Sequence, residues 1–360
     1  MIIMKRTLVK WLVNLTFLLT SIIIALIIGE CIVRFLYKGK MCLFPRYTTN
    51  AEYGDFSIRV VRSNMEYKHT SIDGVFNFKT NNRGFRNDKD IEYVKKDNEI
   101  RILCLGDSHT EGYEVNQHET FSWVTEYLLR QKGLNATAIN AGVAGFGNAE
   151  ELVFLENEGY KYQPDFVVLG FFANDIEDNI RSNIFSVQND SLKVLNYKHL
   201  PGVNIQNFIY KYKIVHFLGE NSYLYAFMFN RIWNFYKTKD VSKTKVNQTE
   251  FSISTKQAYS QYEYNLTEKI IERMYKFTSK RNIPLIILDL PQENMKSSIP
   301  EKLVNHFINN SDTLFYSRDM LQEYMKLSKT HVPHGERHIS SETHNLLGNK
   351  IANYILSYYE

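Results

Sequence analysis

The chain has 360 residues, 44% of them hydrophobic, which is enough for one large domain or two small ones with a sizeable apolar core. Its formal net charge of +4 is small for this length and gives no reason to expect a nucleic acid as partner. Three cysteines are too few for a disulfide framework, and no pair has the spacing of a metal or redox motif.

The first 37 residues are expected to form a membrane anchor. Residues 11–29 carry no charged side chain, and this length is about that of a helix crossing a bilayer. A secretory signal peptide is the alternative, but its apolar region is usually shorter and no clean cleavage site follows. The sequence therefore favours an uncleaved, single-pass anchor.

The orientation of this anchor in the cell membrane is not decided by charge. Basic residues lie both before the span and after it, so the positive-inside rule favours neither direction. An N-terminal anchor ahead of a large domain usually exports that domain. We therefore expect the remainder of the chain to be extracytoplasmic.

A lead-in segment of mixed character, residues 38–98, contains a polar turn signal over residues 81–86. Beyond it, over residues 99–360, short apolar runs alternate with helical patterns. Helices are predicted over 121–129 and from about 342, and strands over 101–105, 136–140, 166–172 and 283–290. This alternation predicts an α/β sandwich with a mostly parallel sheet.

Residues 180–262 interrupt the alternation. The middle of this segment is rich in aromatic residues and is expected to be a helical insertion that packs on the core. A lid over a site, or a second surface that rests on a bilayer, is the alternative. The polar tail, about 238–262, is predicted to be a loop.

Notable residues follow three of the predicted strands. The first strand ends in Gly-Asp-Ser (106–108), the second in a glycine-rich stretch (140–147) and the third in Ala-Asn-Asp (173–175). A Glu-Arg-His sequence (336–338) lies near the C-terminus. Ligands of α/β sheets bind at the carboxyl ends of the strands, so the three loops are candidates for one site.

These residue types fit acyl transfer by a serine. Ser108 needs a base to become a nucleophile, and His338 is the candidate base, with Glu336 as the acid that orients it. A dyad of Ser108 and His338, with a backbone carbonyl orienting the histidine, is the alternative.

The intermediate of such a reaction carries an oxyanion, which needs hydrogen-bond donors fixed in advance. Backbone N–H groups of Ser108 and Gly145 and the side-chain amide of Asn174 are the candidates. Asp107 and Asp175 are expected to support the loops, Asp107 by fixing the turn.

The chain resembles the SGNH/GDSL hydrolases, which are named after Ser, Gly, Asn and His in four separate blocks. GDSHT resembles the first block, NAGVAGFGN the second, FANDIEDN the third and ERHISSETH the last. The resemblance implies a three-layer, flavodoxin-like α/β/α fold that hydrolyses or transfers esters. Two departures stand out: Phe172 replaces a glycine, and Gly335 and Glu336 occupy positions where an aspartate usually precedes the histidine.

The expected function is that of a membrane-anchored serine esterase acting on small O-acyl esters, acetyl in the first place, of a cell-surface glycan or lipid. The alternatives are an O-acetyltransferase supplied by a membrane acyl-donor partner and a catalytically inactive binding module. Neither a cofactor nor a metal is expected, because the spacing of His331, His334 and His338 fits no usual zinc pattern.

Overall fold

The central strand of the sheet is built from an apolar run that is buried on both faces. The computed structural model describes residues 2–198, 203–241 and 259–359. In it the run from Glu99 to Gly106 is buried at every position, as expected for a strand covered by helices on both sides.

The strands lie in the following positions: β1 Thr48–Tyr53, β2 Phe56–Val61, β3 Glu66–Ser71, β4 Gly74–Lys79, β5 Glu99–Gly106, β6 Asn135–Asn140, β7 Phe166–Phe171, β8 Phe185–Gln188, β9 Ser191–Val194, β10 Leu285–Asp289 and β11 Thr313–Phe315.

The α-helices are α1 Ile2–Tyr37, α2 Ser108–Glu111, α3 Phe121–Gln131, α4 Asn148–Asn157, α5 Asp175–Ser182, α6 Val203–Ile209, α7 Lys213–Asn221, α8 Tyr223–Val241, α9 Gln261–Ser279, α10 Glu301–Asn309, α11 Leu321–Tyr324 and α12 Ser341–Leu356.

Five strands form one sheet in the order β11-β10-β7-β5-β6, and every neighbouring pair is parallel. The four strands predicted from the sequence all belong to it. The edge strand β11 was not predicted, because three residues carry too short a pattern to identify a strand. The α/β fold class with a parallel sheet is confirmed.

Helices cover both faces of this sheet. Leu103 and Leu105 of β5 face a core that includes residues of α4, α9 and α10, whereas Ile102 and Cys104 face a second core with residues of α3 and α12. The sheet is thus the middle of three layers, and its carboxyl edge carries the loops that follow β5, β6 and β7.

The lead-in segment forms two antiparallel hairpins, β1–β2 and β3–β4, where the sequence indicated only mixed character. Its polar turn is present, because Asn81 Oδ1 accepts hydrogen bonds from the N–H groups of Arg83 and Phe85. Tyr67 and Phe78 of the second hairpin pack with Tyr113, which follows the first catalytic loop. The hairpins therefore lie directly against the candidate site.

The N-terminal helix is long and apolar enough to cross a membrane over Val9–Tyr37, and the protein buries none of that span. The insertion contains α6, α7 and α8, together with a β8–β9 hairpin that was not predicted. Helix α8 continues to Val241, so the start of the predicted 238–262 loop is helical, as is its end in α9; residues 242–258 lie outside the described residues.

Candidate active site

The loop after β5 presents Ser108 at the carboxyl edge of the sheet. Asp107 Oδ1 accepts a hydrogen bond from His109 N at 2.8 Å, which caps the short helix α2 at its first residue, Ser108. Ser108 is partly exposed, whereas Asp107 and His109 are buried. Asp107 therefore holds the turn that presents the partly exposed Ser108.

His338 lies next to this hydroxyl although 230 residues separate the two in sequence. Its Nε2 is 2.9 Å from Ser108 Oγ, and the side chain is largely buried. In the tautomer with the proton on Nδ1, Nε2 accepts the serine proton, which is the geometry a general base requires. The structure thus brings the two predicted residues together.

The carboxylate on the other side of His338 belongs to Glu114, not to the predicted Glu336. Glu114 Oε2 is 3.0 Å from His338 Nδ1, and the Glu114 side chain is completely buried. Glu336 contributes its backbone instead, because its N–H donates to both Glu114 oxygens at 3.1 Å. The prediction that Glu336 orients the histidine was wrong.

Gly335 explains why the acid comes from a different loop. A Cβ added to Gly335 would lie 1.8 Å from Glu114 Oε1, so the Glu114 carboxylate could not keep its present position. Gly335 also has a φ of +57°, a conformation that glycine adopts without strain. The position where the family usually carries an aspartate is therefore the space that the Glu114 carboxylate fills.

Glu114 itself adopts a conformation that is unusual for a residue with a side chain. Its φ is +61°, in the left-handed region, so the surrounding structure must hold this backbone in place. Arg86 supplies much of that constraint. Its guanidinium donates to the carbonyl oxygens of Glu111, Gly112 and Val115, which lie on either side of Glu114.

Arg86 belongs to the polar turn of the lead-in segment. It is buried, with its guanidinium carbon 3.6 Å from the centroid of the Phe78 ring, and burial lowers its pKa to about 10. The arginine remains charged at neutral pH, and its hydrogen bonds go to carbonyl groups. The turn thus holds the loop that carries Glu114.

The Gly145 loop is held by a second arginine of the lead-in segment. Arg59 Nη2 donates to Ala144 O at 2.8 Å, and Glu111 Oε2 accepts from Ala144 N at 2.7 Å. Ala144 C=O and Gly145 N–H share one planar peptide unit, so holding the oxygen also sets the direction of the N–H. Burial raises the pKa of Glu111 to about 7.

Two of the predicted oxyanion donors are available to a substrate. Within residues 2–198, 203–241 and 259–359, no group accepts a hydrogen bond from the N–H of Ser108 or of Gly145. Both residues are partly exposed, and Gly145 has a φ of +75°. Their role in stabilising an oxyanion stays a prediction.

Asn174 lies beside the serine loop, but its amide is already engaged. Its Nδ2 donates to Asp107 Oδ2 at 3.2 Å and to Asp178 Oδ2 at 3.3 Å. Both distances are at the long end of the range for hydrogen bonds. The amide could therefore exchange these weak hydrogen bonds for one to a substrate oxygen. Asn174 therefore also stays a predicted donor.

Asp175 supports the third loop from below. Its Oδ2 accepts from Phe172 N at 3.0 Å and from Asn148 Nδ2 at 3.1 Å, which links the strand end of β7 to α4. Asp175 is fully buried, and burial, together with the nearby Glu151 charge, raises its pKa well above the ordinary value. The residue thus contacts the loop's backbone and the neighbouring helix.

Phe172, which replaces the family's glycine, packs against His109. The two rings are 3.9 Å apart at their centroids, and the His109 ring is 4.8 Å from that of His338. Burial lowers the pKa of His109 well below its ordinary value, so the ring is neutral at pH 7. His109 thus lies buried between Phe172 and His338.

A cavity of about 20 Å³ lies behind the Gly145 loop, with Arg46, Arg59, Glu111 and Tyr113 among its lining residues. This volume is enough for a water molecule but not for an acyl group.

Sequence reasoning missed Glu114, Arg86 and Arg59. The missing aspartate at position 335 was a signal that the acid lies elsewhere, but it did not indicate where. Each missed residue acts through a contact between distant segments: 224 residues separate Glu114 from His338, and 85 separate Arg59 from Ala144.

No family model and no curated protein matches the chain. Solved structures similar to it include a two-domain esterase active on acetylated mannans, at 12% identity and a TM-score of 0.39, with 72% of this chain and 49% of that chain covered. The chain thus spans about half the length of that esterase.

For two further similar structures, the match covers most of the other chain. One is a family 3 carbohydrate esterase from Clostridium thermocellum, at 14% identity, a TM-score of 0.38 and coverage of 72% and 96%. The other is a putative lipolytic protein of the G-D-S-L family from Desulfitobacterium hafniense, at 11% identity and a TM-score of 0.29. That match covers 70% of this chain and 98% of the other.

Proposed function

We propose that the chain is a serine esterase of the SGNH/GDSL type, with Ser108, His338 and Glu114 as its triad. The observation that carries the proposal is the unbroken line of hydrogen bonds from Ser108 Oγ to His338 Nε2, at 2.9 Å, and from His338 Nδ1 to Glu114 Oε2, at 3.0 Å. A nucleophile, a base and an orienting acid meet at the exposed edge of the sheet, as acyl transfer requires.

In the proposed reaction, Ser108 Oγ attacks an ester carbonyl while His338 Nε2 takes the serine proton. Glu114 stabilises the imidazolium that forms and keeps its Nδ1 proton in place. The N–H groups of Ser108 and Gly145, with Asn174, stabilise the oxyanion. His338 then gives the proton to the departing alcohol, and a water molecule, activated by the same base, releases the acid from Ser108.

The substrate proposed is a small O-acyl ester, acetyl in the first place, on a cell-surface glycan or lipid. Helix α1 supports this choice, because a chain held in the cell membrane by its N-terminus works near the surface components of the cell. The catalytic domain is proposed to be extracytoplasmic. Protease digestion of intact cells checks this, since a domain inside the cell would be protected until the membrane is permeabilised.

Hydrolysis of 4-nitrophenyl acetate by the purified full-length protein tests the chemistry. We expect turnover and labelling by a fluorophosphonate probe, both of which Ser108→Ala abolishes. A protein that neither turns over the ester nor takes the label would be a binding module, and full activity in Ser108→Ala would exclude Ser108 as the nucleophile.

A matched pair of variants tests the assignment of the acid. Glu114→Gln keeps the shape of the side chain but removes its charge, so we expect kcat to fall about 10³- to 10⁴-fold. Glu336→Gln leaves untouched the backbone N–H that donates to Glu114, and kcat should stay within about threefold of the unsubstituted protein. If kcat fell more in Glu336→Gln than in Glu114→Gln, Glu336 and not Glu114 would be the acid that orients His338.

Moving the carboxylate from position 114 to position 335 tests whether an acid at either position can orient His338. Glu114→Ala vacates the space beside Gly335, and adding Gly335→Asp puts an acid where the family usually has one. Aspartate tolerates a positive φ better than most residues, so the double variant should fold. We expect it to be at least tenfold more active than Glu114→Ala; equal activities would show that the two positions do not share one role.

The acceptor of the acyl group is proposed to be water. The same acyl-enzyme can be discharged by a sugar hydroxyl, and mass measurement of products formed with an added glycan separates the two outcomes. Free acetate alone supports the esterase, whereas an acetylated glycan would make the chain a transferase.

A further inference from the structure

The insertion carries an unusually apolar outer surface. Six large side chains of α6, α7, α8 and the turn between α6 and α7 are between 50% and 61% exposed: Ile205, Phe208, Tyr212, Ile214, Phe217 and Met228. We refer to them as the apolar face. Soluble proteins rarely present so many large apolar side chains in so short a stretch unless the surface binds something.

The spacing of these residues is that of a helix side. Ile205 and Phe208 are three residues apart on α6, and Ile214 and Phe217 are three apart on α7, so each pair projects from one side of its helix. The rings of Phe208 and Tyr212 are 5.7 Å apart, which joins the α6 side to the turn before α7.

The end of the apolar N-terminal helix is docked to this insertion. Glu30, the first charged residue after the uncharged run, accepts hydrogen bonds from the Ser222 hydroxyl at 2.7 Å and from the N–H groups of Tyr223 and Leu224. It thereby caps α8, whose first N–H groups need an acceptor. Arg34 adds a hydrogen bond to Asn221 O at 2.7 Å.

This docking fixes the height of the insertion relative to a bilayer. If α1 spans the membrane, Glu30 lies where the apolar run meets the polar headgroups, and the junction of α7 and α8 is held at that level. Four lysines near the ends of these helices are exposed: Lys38 and Lys40 follow α1, Lys211 lies between α6 and α7, and Lys213 is the first residue of α7. Helices with one apolar side and basic neighbours are typical of segments that lie in the headgroup region.

We propose that the apolar face rests on a bilayer with anionic lipids, so that α6 and α7 lie in its headgroup region and the four lysines contact the lipid phosphates. The proposal depends on membrane anchoring by α1, which forms part of the proposed function. A lipid surface fits better than a protein partner because Glu30 and Arg34 tie the start of α8, next to the apolar face in sequence, to the end of the apolar run of α1.

The bilayer contact would also orient the catalytic domain. Thr48 Oγ1 bonds to Gln206 at 2.9 Å and Thr49 Oγ1 to Asn207 at 3.0 Å, so α6 is tied to β1 of the first lead-in hairpin. That hairpin also carries Arg59, which holds the Gly145 loop. The distance and tilt of Ser108 relative to the membrane are then set by two attachments, the spanning helix and the apolar face.

The test uses the full-length protein in nanodiscs that contain phosphatidylcholine and phosphatidylglycerol. Phe208→Cys and Phe217→Cys are labelled with the fluorophore NBD in a protein that lacks Cys31 and Cys42, since Cys104 is buried. Val94→Cys, on a lead-in side chain 77% exposed, is the matched control. Lipids with a spin label near the headgroup quench fluorophores that lie at the membrane surface.

We expect quenching at positions 208 and 217 to exceed that at 94 at least fivefold. Replacing phosphatidylglycerol by phosphatidylcholine, or introducing Lys211→Glu with Lys213→Glu, should reduce this difference. Equal quenching at the three positions, in a protein that still resists extraction by carbonate and still hydrolyses 4-nitrophenyl acetate, would overturn the bilayer contact alone. Extraction by carbonate would instead refute the anchor, and with it the proposal.

Discussion

The lead-in segment and the insertion both lie outside the parallel sheet, yet they are connected to the active site in different ways. The lead-in segment inserts Arg86 and Arg59 among the catalytic loops, where they donate to backbone carbonyls. The insertion exposes the six large side chains of the apolar face and docks to the N-terminal helix through Glu30. The lead-in segment therefore contacts the loops of the candidate site, whereas the insertion exposes its apolar face to the solvent or to a membrane.

This difference predicts how each region responds to substitution. A buried arginine that satisfies several carbonyl groups cannot be removed without leaving those groups unpaired. Removing an exposed phenylalanine leaves no polar group unpaired. We therefore expect activity on a soluble ester to depend strongly on the lead-in segment and little on the insertion.

The largest effect is expected from Arg86→Met. It leaves the carbonyls of Glu111, Gly112 and Val115 without their donor, so the free energy of unfolding should fall by about 3–5 kcal/mol. In the fraction that stays folded, kcat should drop about 100-fold because Glu114 is no longer held. Urea unfolding and kcat per folded molecule measure the two effects.

Arg83→Met is the control for this change. Arg83 lies in the same turn, but its side chain is 30% exposed and pairs with an exposed carboxylate, Glu92. A surface pair of this kind contributes at most about 1 kcal/mol. Equal losses in the two variants would mean that the turn matters and the Arg86 side chain does not.

Arg59→Met should have a smaller effect, confined to the chemical step. Losing the hydrogen bond to Ala144 O frees the peptide unit whose N–H belongs to Gly145, so kcat should fall about tenfold, equivalent to about 1.4 kcal/mol. KM for a small ester should stay within about twofold. Arg62→Met, which instead breaks a contact with Asn207 of the insertion, is the control; a kcat loss as large as that of Arg59→Met would contradict the assignment.

The carboxyl between the two arginines should make stability depend on pH. Burial raises the pKa of Glu111 to about 7 from the ordinary 4.5, so the folded chain binds more protons than the unfolded chain between these values. The free energy of unfolding should therefore decrease as pH rises from 4.5 to 7. Glu111→Gln should flatten this slope in urea unfolding at a series of pH values, while buried Asp289 contributes equally to both proteins.

The smallest effect is expected from Phe217→Ser in the insertion. Its side chain is 61% exposed, so little packing is lost, and kcat on 4-nitrophenyl acetate in detergent should stay within about twofold. A tenfold loss would show that the insertion takes part in catalysis and would remove the distinction between the two regions.

Much of the fold was predictable because it depends on local patterns. The apolar runs of β5 and β7 are buried on both sides, and strands of this kind are recognised from a few consecutive residues. Ser108 and His338 were identified because each lies in a recognisable block. The lead-in hairpins were missed because strands such as β1 (TTNAEY) and β3 (EYKHTS) contain too few apolar residues to form a recognisable pattern.

Glu114 could not be predicted for a different reason. Its role depends on where a loop near the C-terminus places the backbone N–H of Glu336 and the space beside Gly335. Neither property leaves a pattern around residue 114 itself. The carboxylate nearest in sequence to His338 was the natural choice, and only the three-dimensional arrangement excludes it.

The close approach of Gly335 to the Glu114 carboxylate also makes the evolutionary histories of these two positions dependent on each other. A side chain gained at 335 would displace the Glu114 carboxylate from its present position, so a carboxylate in this position at 114 requires a glycine at 335. A lineage that changes from one arrangement to the other therefore either moves the Glu114 side chain aside or passes through an ancestor with neither acid, in which His338 has no carboxylate beside it. Survival of such an ancestor requires that a slow enzyme still be useful to the cell.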